Sequence, residues 1–329
     1  MKRLCLLLSS VFLAGTFAFA ASAQDKFPSS PIRIVVPYAP GGATDTVARL
    51  LGDELHKTIG QPIVVENKPG AAGIIAIEDM AQAKPDGYTL LLGNVTTNAI
   101  TPILYKSKFK INYEKDVTAL TRLVDVPEFI VVTTKNFPVN NMKELVAYAK
   151  KHNGKIRYGS VGVGSYPHFD AALLAKAIGV DMVNIPNKAG ASGVIKDMLT
   201  GDVQVAFLNV SSTGPLVKAG KLKAIALVND KRLPDYPDVP TMAEVGYPDV
   251  GTLAWQGLFA PAATPKPVLA KLFSAITEAL KKPELVDKFH KRHFRVVPNK
   301  SPEDAQVWLK SEIAHWKKAA EVSKITVGK

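Results

Sequence analysis

The chain has 329 residues, of which 47% are hydrophobic, and a formal net charge of +12. It is long enough to bury two hydrophobic cores, and its basic residues are scattered rather than grouped into a nucleic-acid-binding patch, so nucleic acid is not an expected partner. The single cysteine, Cys5, excludes an internal disulfide framework.

The first 23 residues have the pattern of a secretory signal. Lys2 and Arg3 precede an apolar run from Leu4 to Ala20, and the small residues 21–23 come next. We therefore predict cleavage near Ala23 and a mature protein in the periplasm. The apolar run is at the short limit for a membrane span, so a retained anchor is the alternative.

The next segment predicts an anion site. An apolar strand ending at Val36 runs through Gly41 and Gly42 into a helix, and glycine lets backbone N–H groups approach a ligand closely. The first turn of the helix adds unpaired donors and the positive end of its dipole. Asp45 lies where an N-cap residue belongs, so it either caps the helix or reaches a ligand through water.

Short apolar strands alternate with helical patterns along the mature chain, which indicates α/β architecture with strands joined through helices. Since ligands in such sheets sit beyond the carboxyl ends of strands, Asn94, Thr97 and Asn209, which follow strands, are candidates for the same rim. Strand pieces on either side of Pro127 indicate a crossover to a second domain, and a strand at residues 255–260 indicates the return. We predict domain 1 at residues 24–125 plus 252–329, domain 2 at residues 126–251, and a ligand cleft between them.

The second domain repeats the strand-turn-helix unit. A strand over residues 156–160 leads through a glycine turn at residues 161–165 into a helix from His168 to Ile178. Two such units, one in each domain, predict a cleft that clamps a small carboxylate between two helix N-termini. His168 has two interpretations, capping at the helix start or ligand contact.

Five strings carry a family resemblance: VPYAPGGATD at residues 36–45, VENKPGAAG at 65–73, PDGYTLL at 85–91, GSVGVGSYPH at 159–168 and DVPT at 238–241. In this order they resemble the Bug family, the periplasmic receptors of tripartite tricarboxylate transporters, over essentially the whole mature chain. The resemblance implies a two-domain periplasmic binding protein of the type II, Venus-flytrap kind, with a mixed, mainly parallel sheet in each domain. It also implies a monomeric receptor without catalysis or cofactor, which delivers a carboxylate to integral membrane permease subunits.

Carried over by position, the resemblance places two groups of residues at the ligand. The first loop contributes Tyr38, Ala39, Gly41, Gly42 and Asp45, and the second contributes Ser160, Gly164, Ser165 and His168. Family members usually carry Tyr-Lys-Gly after a proline in the second domain, whereas this chain has Asn187, Lys188, Ala189 and Gly190 after Pro186. Ala189 and Gly190 therefore mark the place where ligand choice is expected to depart from the family.

Other functions stay open at this point. A receptor that serves an ATP-driven permease would share the fold. A secreted hydrolase could use Ser165 activated by His168, three residues apart at a helix start. No nucleophile elbow, phosphate loop or zinc motif occurs, and His290 with His293 lacks an evident third metal ligand, so we expect no metal and no enzyme. The ligand is expected to be an organic acid, with dicarboxylates and aromatic acids both open.

Overall fold

Two β-sheets organise the computed structural model, which describes residues 27–187 and 189–326. The predicted signal peptide and its cleavage point lie outside these residues. The strands are β1 (Ile32–Val36), β2 (Ile63–Asn67), β3 (Thr89–Asn94), β4 (Val117–Val126), β5 (Glu128–Thr133), β6 (Arg157–Ser160), β7 (Val183–Pro186), β8 (Val205–Asn209), β9 (Leu222–Val228), β10 (Ala254–Pro261) and β11 (Arg295–Val296). The helices are α1 (Ala43–Ile59), α2 (Ile74–Ala81), α3 (Thr101–Leu104), α4 (Tyr113–Asp116), α5 (Met142–Lys151), α6 (Tyr166–Ile178), α7 (Ala191–Thr200), α8 (Val210–Lys218), α9 (Lys266–Ala279), α10 (Pro283–His290) and α11 (Pro302–Ser323).

The first sheet has the order β11-β4-β10-β3-β1-β2 and the second has the order β7-β6-β8-β5-β9. We call the part of the chain around each sheet the first lobe and the second lobe. Only Pro127 separates β4 of the first sheet from β5 of the second, and β10 brings the chain back to the first sheet. The structure therefore has two α/β lobes joined by two connections.

The sheets are mixed and mainly parallel, as predicted, because four of the six strands in the first sheet and four of the five in the second run in one direction. In the first sheet β1 is parallel to β2 and β3, whereas β10 is antiparallel to β3 and β4. In the second sheet β6 is parallel to β7 and β8, whereas β5 is antiparallel to β8 and β9. Hydrophobic periodicity indicates where a strand lies but carries no information on its direction, which depends on where the connections cross.

The parallel strands carry the predicted loops to common edges. The loops after β1, β2 and β3 leave the same edge of the first sheet, and those after β6, β7 and β8 leave the same edge of the second. This confirms the expectation that the loops of each lobe share a rim. The interior strand β5 is buried over its whole length because Ile130 faces one apolar cluster and Phe129 faces another.

Helix α6 begins two residues earlier than predicted, at Tyr166 rather than His168. Pro167 belongs to its first turn, where the N–H that proline lacks would have had no partner. Tyr166 and Phe169 of α6 join the core of the first lobe, and the Phe169 ring packs edge-on against Trp316 of α11 at 5.4 Å between centroids. The helix that follows the second glycine turn therefore bridges both lobes.

Two further differences concern short elements. The glycines at positions 70 and 73 predict a helix that opens at Gly70, but α2 begins only at Ile74, because Ala71 and Ala72 adopt left-handed backbone conformations before it. Helical patterns after residue 264 predict two long helices at the end of the chain; the structure has them as α9 and α11, with the short helix α10 and the two-residue strand β11 between them. Both are too short for a periodic pattern to reveal.

Candidate ligand-binding site

The first glycine turn, residues 37–42, joins β1 to α1. Gly41 has a φ of 91°, which favours glycine, and Gly42 occupies the N-cap position without any side-chain hydrogen bond to the helix. Both glycines are exposed. The first N–H groups of α1 therefore have no side-chain cap, which is an arrangement that accepts an anion.

Asp45 does not occupy the N-cap position predicted for it, but it holds this turn by hydrogen bonds from within α1. It is the third residue of α1 and only 3% exposed, and its carboxylate accepts hydrogen bonds from the Gly41 N–H and from Asn67 Nδ2, both at 2.9 Å. Arg49 also pairs with it. Although burial opposes ionisation, these hydrogen bonds hold the pKa of Asp45 below its ordinary value. Its oxygens are occupied by the loop itself.

Tyr38, Asn94 and Thr97 form one hydrogen-bonded group at the same rim. The Tyr38 hydroxyl donates to Asn94 Oδ1 at 2.9 Å, and the Thr97 N–H donates to the same oxygen at 3.2 Å. Burial raises the pKa of Tyr38 to about 12, so its hydroxyl is a donor at physiological pH. Ala39 lies beside Tyr38 and is exposed. The group fixes the floor of the first turn with neutral polar atoms.

The second glycine turn, residues 161–165, joins β6 to α6. The Ser160 and Ser165 hydroxyls both donate to the Gly162 carbonyl, at 3.3 and 2.7 Å. The Gly164 N–H donates to His168 Nδ1 at 3.1 Å, so this nitrogen carries no proton and the imidazole is neutral. Burial lowers the pKa of His168 to about 4, in agreement with that bond.

The contacts of Ser165 and His168 bear on the hydrolase alternative. A serine nucleophile needs its hydroxyl directed at a basic imidazole nitrogen. Here the Ser165 hydroxyl is directed at a carbonyl and His168 Nδ1 is taken by a backbone N–H. Both side chains therefore hold the turn in shape, which corresponds to the capping interpretation of His168.

Ala189 and Gly190 lie in a third turn, which joins β7 to α7 in the second lobe. The Ala189 N–H donates to Asn187 Oδ1 at 2.9 Å, and Gly190 has a φ of 72°. The neighbouring Lys188 lies outside the described residues. The turn shares the edge of the second sheet with the turn after β6, and the N–H groups of Ala189 and Gly190 both bond to Asn187 within it.

Two contacts bring the rims of the lobes together. The Tyr166 N–H of α6 lies 3.3 Å from Thr96 Oγ1, next to the Tyr38 group, and the Tyr105 hydroxyl donates to the Val163 carbonyl at 3.3 Å. The Tyr166 hydroxyl reaches Asn209 Oδ1 at 3.1 Å. The first and second glycine turns are thus connected through a short chain of polar contacts, in which Thr96 takes the first N–H of α6, whereas the start of α1 has no side-chain cap.

Sequence reasoning missed four residues that build this region: Asn67, Thr96, Tyr105 and Tyr166. Asn67 and Tyr166 lie inside strings that were already singled out, so their positions carried a signal. Thr96 begins a π-helical segment and Tyr105 follows the four-residue helix α3, and only the packing of the lobes reveals their role.

Metal and membrane signals are both missing from residues 27–187 and 189–326. No group of three or more histidine, cysteine, aspartate or glutamate side chains there has the geometry of a metal site. Among the same residues, the structure contains no helix with the length and hydropathy needed to cross a bilayer.

Comparison with known proteins gives consistent matches. A family profile described as "Tripartite tricarboxylate transporter family receptor" matches residues 47–324. The structure titled periplasmic binding protein BugD is 35% identical, with a TM-score of 0.81 over 91% of this chain and 99% of that one. R. palustris Rpa4515 with adipate is 30% identical, with a TM-score of 0.84 over 92% and 99%. MatC from Rhodopseudomonas palustris with bound malate is 33% identical, with a TM-score of 0.79 over 89% and 99%.

Proposed function

This chain belongs to the tripartite tricarboxylate transporter receptor family, and from that premise we propose that it captures a small organic acid between its lobes and delivers it to a membrane permease. The fold is the two-lobed, type II form of periplasmic binding proteins, and the family consists of solute receptors rather than enzymes. The ligand, the site residues and the permease step are the proposed parts.

One observation supports the carboxylate most strongly. Each lobe has a glycine turn that leads into a helix whose N-cap residue makes no side-chain bond to the helix, and the bond from the Tyr166 N–H to Thr96 Oγ1 holds the two rims near each other. Backbone N–H groups and helix dipoles stabilise a negative ligand from both sides. The internal pairing of the Asp45 carboxylate keeps unpaired negative charge away from the amides of the first turn.

The proposed ligand class is the aliphatic dicarboxylates. Two related receptors of known structure carry adipate and malate, which differ in length but share two carboxylates. Two amide-lined turns on opposite lobes fit two acidic groups at the two ends of one molecule. We place the ligand between domain 1, residues 24–125 plus 252–329, and domain 2, residues 126–251.

Delivery follows from the same premise. Export by the predicted signal at residues 1–23 would put the receptor in the periplasm, and closure around the acid would present one shape to the permease. A ligand that touches both lobes favours the closed state by its difference in affinity for the two states.

A thermal-shift panel tests the ligand class. At about 100 times its dissociation constant, a true ligand stabilises the protein by roughly 2.7 kcal/mol. We expect adipate or malate to raise the melting temperature and glucose or putrescine to leave it unchanged. A rise with glucose or putrescine, and none with either acid, would show that the carboxylate assignment is wrong.

The variant Gly42→Asp tests the location. Gly42 has a φ of −78° and nothing lies within 4 Å of the position of an added Cβ, so the side chain fits. An aspartate there caps α1 with its own carboxylate, which maintains stability while it occupies the N–H groups meant for the ligand. We expect acid binding to be lost in Gly42→Asp and retained in the matched Gly42→Ala. Equal binding by the two variants would place the acid elsewhere.

A further inference from the structure

Two buried acidic side chains, Glu128 and Asp170, take no part in the ligand contacts described above. Glu128 is 0% exposed and Asp170 is 1% exposed. Within the described residues, no lysine, arginine or histidine forms an ion pair with either of them. A carboxylate removed from water without a cation is costly, so such groups hold a proton more tightly than in solution.

Hydrogen bonds of Glu128 and Asp170 join α6 to the two chain segments that link the lobes. Glu128 is the first residue after Pro127, and its Oε1 accepts a hydrogen bond from the Tyr166 hydroxyl at 2.6 Å. Asp170, one turn further along α6, accepts from the Thr252 hydroxyl at 2.7 Å and from the Thr252 N–H at 3.2 Å. Thr252 lies just before β10 on the return connection.

The surroundings of the pair contain no compensating charge. The titratable groups facing Glu128 are Asp170 and Tyr166 of α6, and Asn209 of β8 shares the Tyr166 hydroxyl. Glu128 Oε2 is buried without a hydrogen-bond partner. Burial, and then the negative charge of Asp170, raises the pKa of Glu128 well above its usual range, and burial raises the pKa of Asp170 to about 7.

We propose that Glu128 and Asp170 are positioning residues for ligand capture, which hold the helix of the second glycine turn to both interlobe connections and retain at least one proton between them at neutral pH. The role in capture rests on the proposed function. Tyr166 links the acids to the rim, because its N–H bonds to Thr96 at the rim and its hydroxyl donates to Glu128. The acids touch no ligand and act through the placement of α6.

The first experiment counts protons and needs no ligand. A group whose pKa is raised by folding stabilises the protein below its unfolded pKa, and this stability is lost as pH rises through the folded pKa. Glu128→Gln keeps the acceptor for Tyr166 and puts an amide nitrogen at the unpartnered Oε2 position, but it cannot bind a proton. From unfolding curves between about pH 5 and about pH 8, we expect this variant to take up about one proton fewer on folding than the wild type.

Further variants complete the proton count. Asp170→Asn should also take up about one proton fewer on folding than the wild type. This variant provides the proton count if Glu128→Gln does not fold. The exposed acid Glu321 of α11 provides the control, and Glu321→Gln should match the wild type. Wild-type proton uptake in the double variant Glu128→Gln/Asp170→Asn, which has no acid left to hold a proton, would overturn the buried proton.

The second experiment tests positioning. Tyr166→Phe removes the bond to Glu128 without changing a charge, so it should leave the proton count unchanged. We expect the amides at the start of α6 to exchange hydrogen about tenfold faster in the free protein. Adipate and malate, titrated calorimetrically, should bind about tenfold more weakly. Unchanged amide exchange in Tyr166→Phe would overturn the positioning role, whereas a wild type that binds neither acid would reject the proposed ligand class alone.

Discussion

Asp45 provides the most direct test of how the first glycine turn is built. The variant Asp45→Ala removes the acceptor for the Gly41 N–H and for Asn67 Nδ2, both at 2.9 Å, in a site that is 3% exposed. Hydrogen bonds to a charged group contribute about 1.5 kcal/mol each at the lower end of their range. The Arg49 side chain is 50% exposed, so its ion pair adds less than about 1 kcal/mol.

These contributions predict a loss of about 3 kcal/mol in the free energy of unfolding. In a protein of this size that loss corresponds to a fall of about 6 °C in melting temperature. Calorimetry at neutral pH measures it, with Asp53→Ala on the exposed side of the same helix as the matched control. Asp53→Ala should change the melting temperature by less than about 1 °C.

The pH dependence adds a second, independent readout. Because the pKa of Asp45 is lowered in the folded protein, its stabilisation is present above the unfolded pKa and is lost as pH falls through the folded pKa. The gap between wild type and Asp45→Ala should therefore narrow toward about pH 2. A loss no larger than that of Asp53→Ala, or a gap that widens in acid, would refute the view that Asp45 supports the turn.

Three further outcomes follow from the contacts around the site. Burial lowers the pKa of His168 to about 4. Its ring signals in nuclear magnetic resonance should therefore stay those of a neutral imidazole between about pH 5 and about pH 8. A titration of the ring within that window would contradict the hydrogen bond from the Gly164 N–H. Gly73→Ala should destabilise the protein by about 2 kcal/mol more than Gly60→Ala. Both positions have a positive φ, but only the methyl group added at position 73 would lie 2.6 Å from Thr97 Cγ2. Equal melting temperatures of the two variants would contradict this packing. Tyr105→Phe should weaken acid binding by about fivefold through loss of the hydrogen bond between the lobes, measured by calorimetric titration, and unchanged affinity would remove Tyr105 from closure.

Local sequence patterns were sufficient to predict many of the strands and turns of this protein. The strands at residues 32–36, 89–94 and 128–133 are short runs of apolar residues, and burial of such runs needs no knowledge of their partners. A glycine at the N-cap leaves the first N–H groups of a helix without a side-chain partner, and α1 with Gly42 at that position has this form. The ordered strings along the chain also indicated the family, which the family match confirms.

Contacts between residues far apart in the sequence could not be predicted from local sequence patterns. Asp45 looked like a capping residue, but whether its carboxylate faces its own helix or the neighbouring strand depends on Asn67, 22 positions away, which the parallel pairing of β1 and β2 brings alongside. The direction of β10 and the resulting antiparallel pairs were likewise hidden, since the side-chain alternation of a strand is the same in either direction.

The sequence by itself determined the elements, the two amide-lined turns and the family, because each depends on residues within one strand-turn-helix unit. Only the tertiary structure decided that α6 packs into the opposite lobe and that Glu128 and Asp170 meet the two connections around it. Burial of those acids results from how two lobes pack together, and no short segment of the chain contains that information.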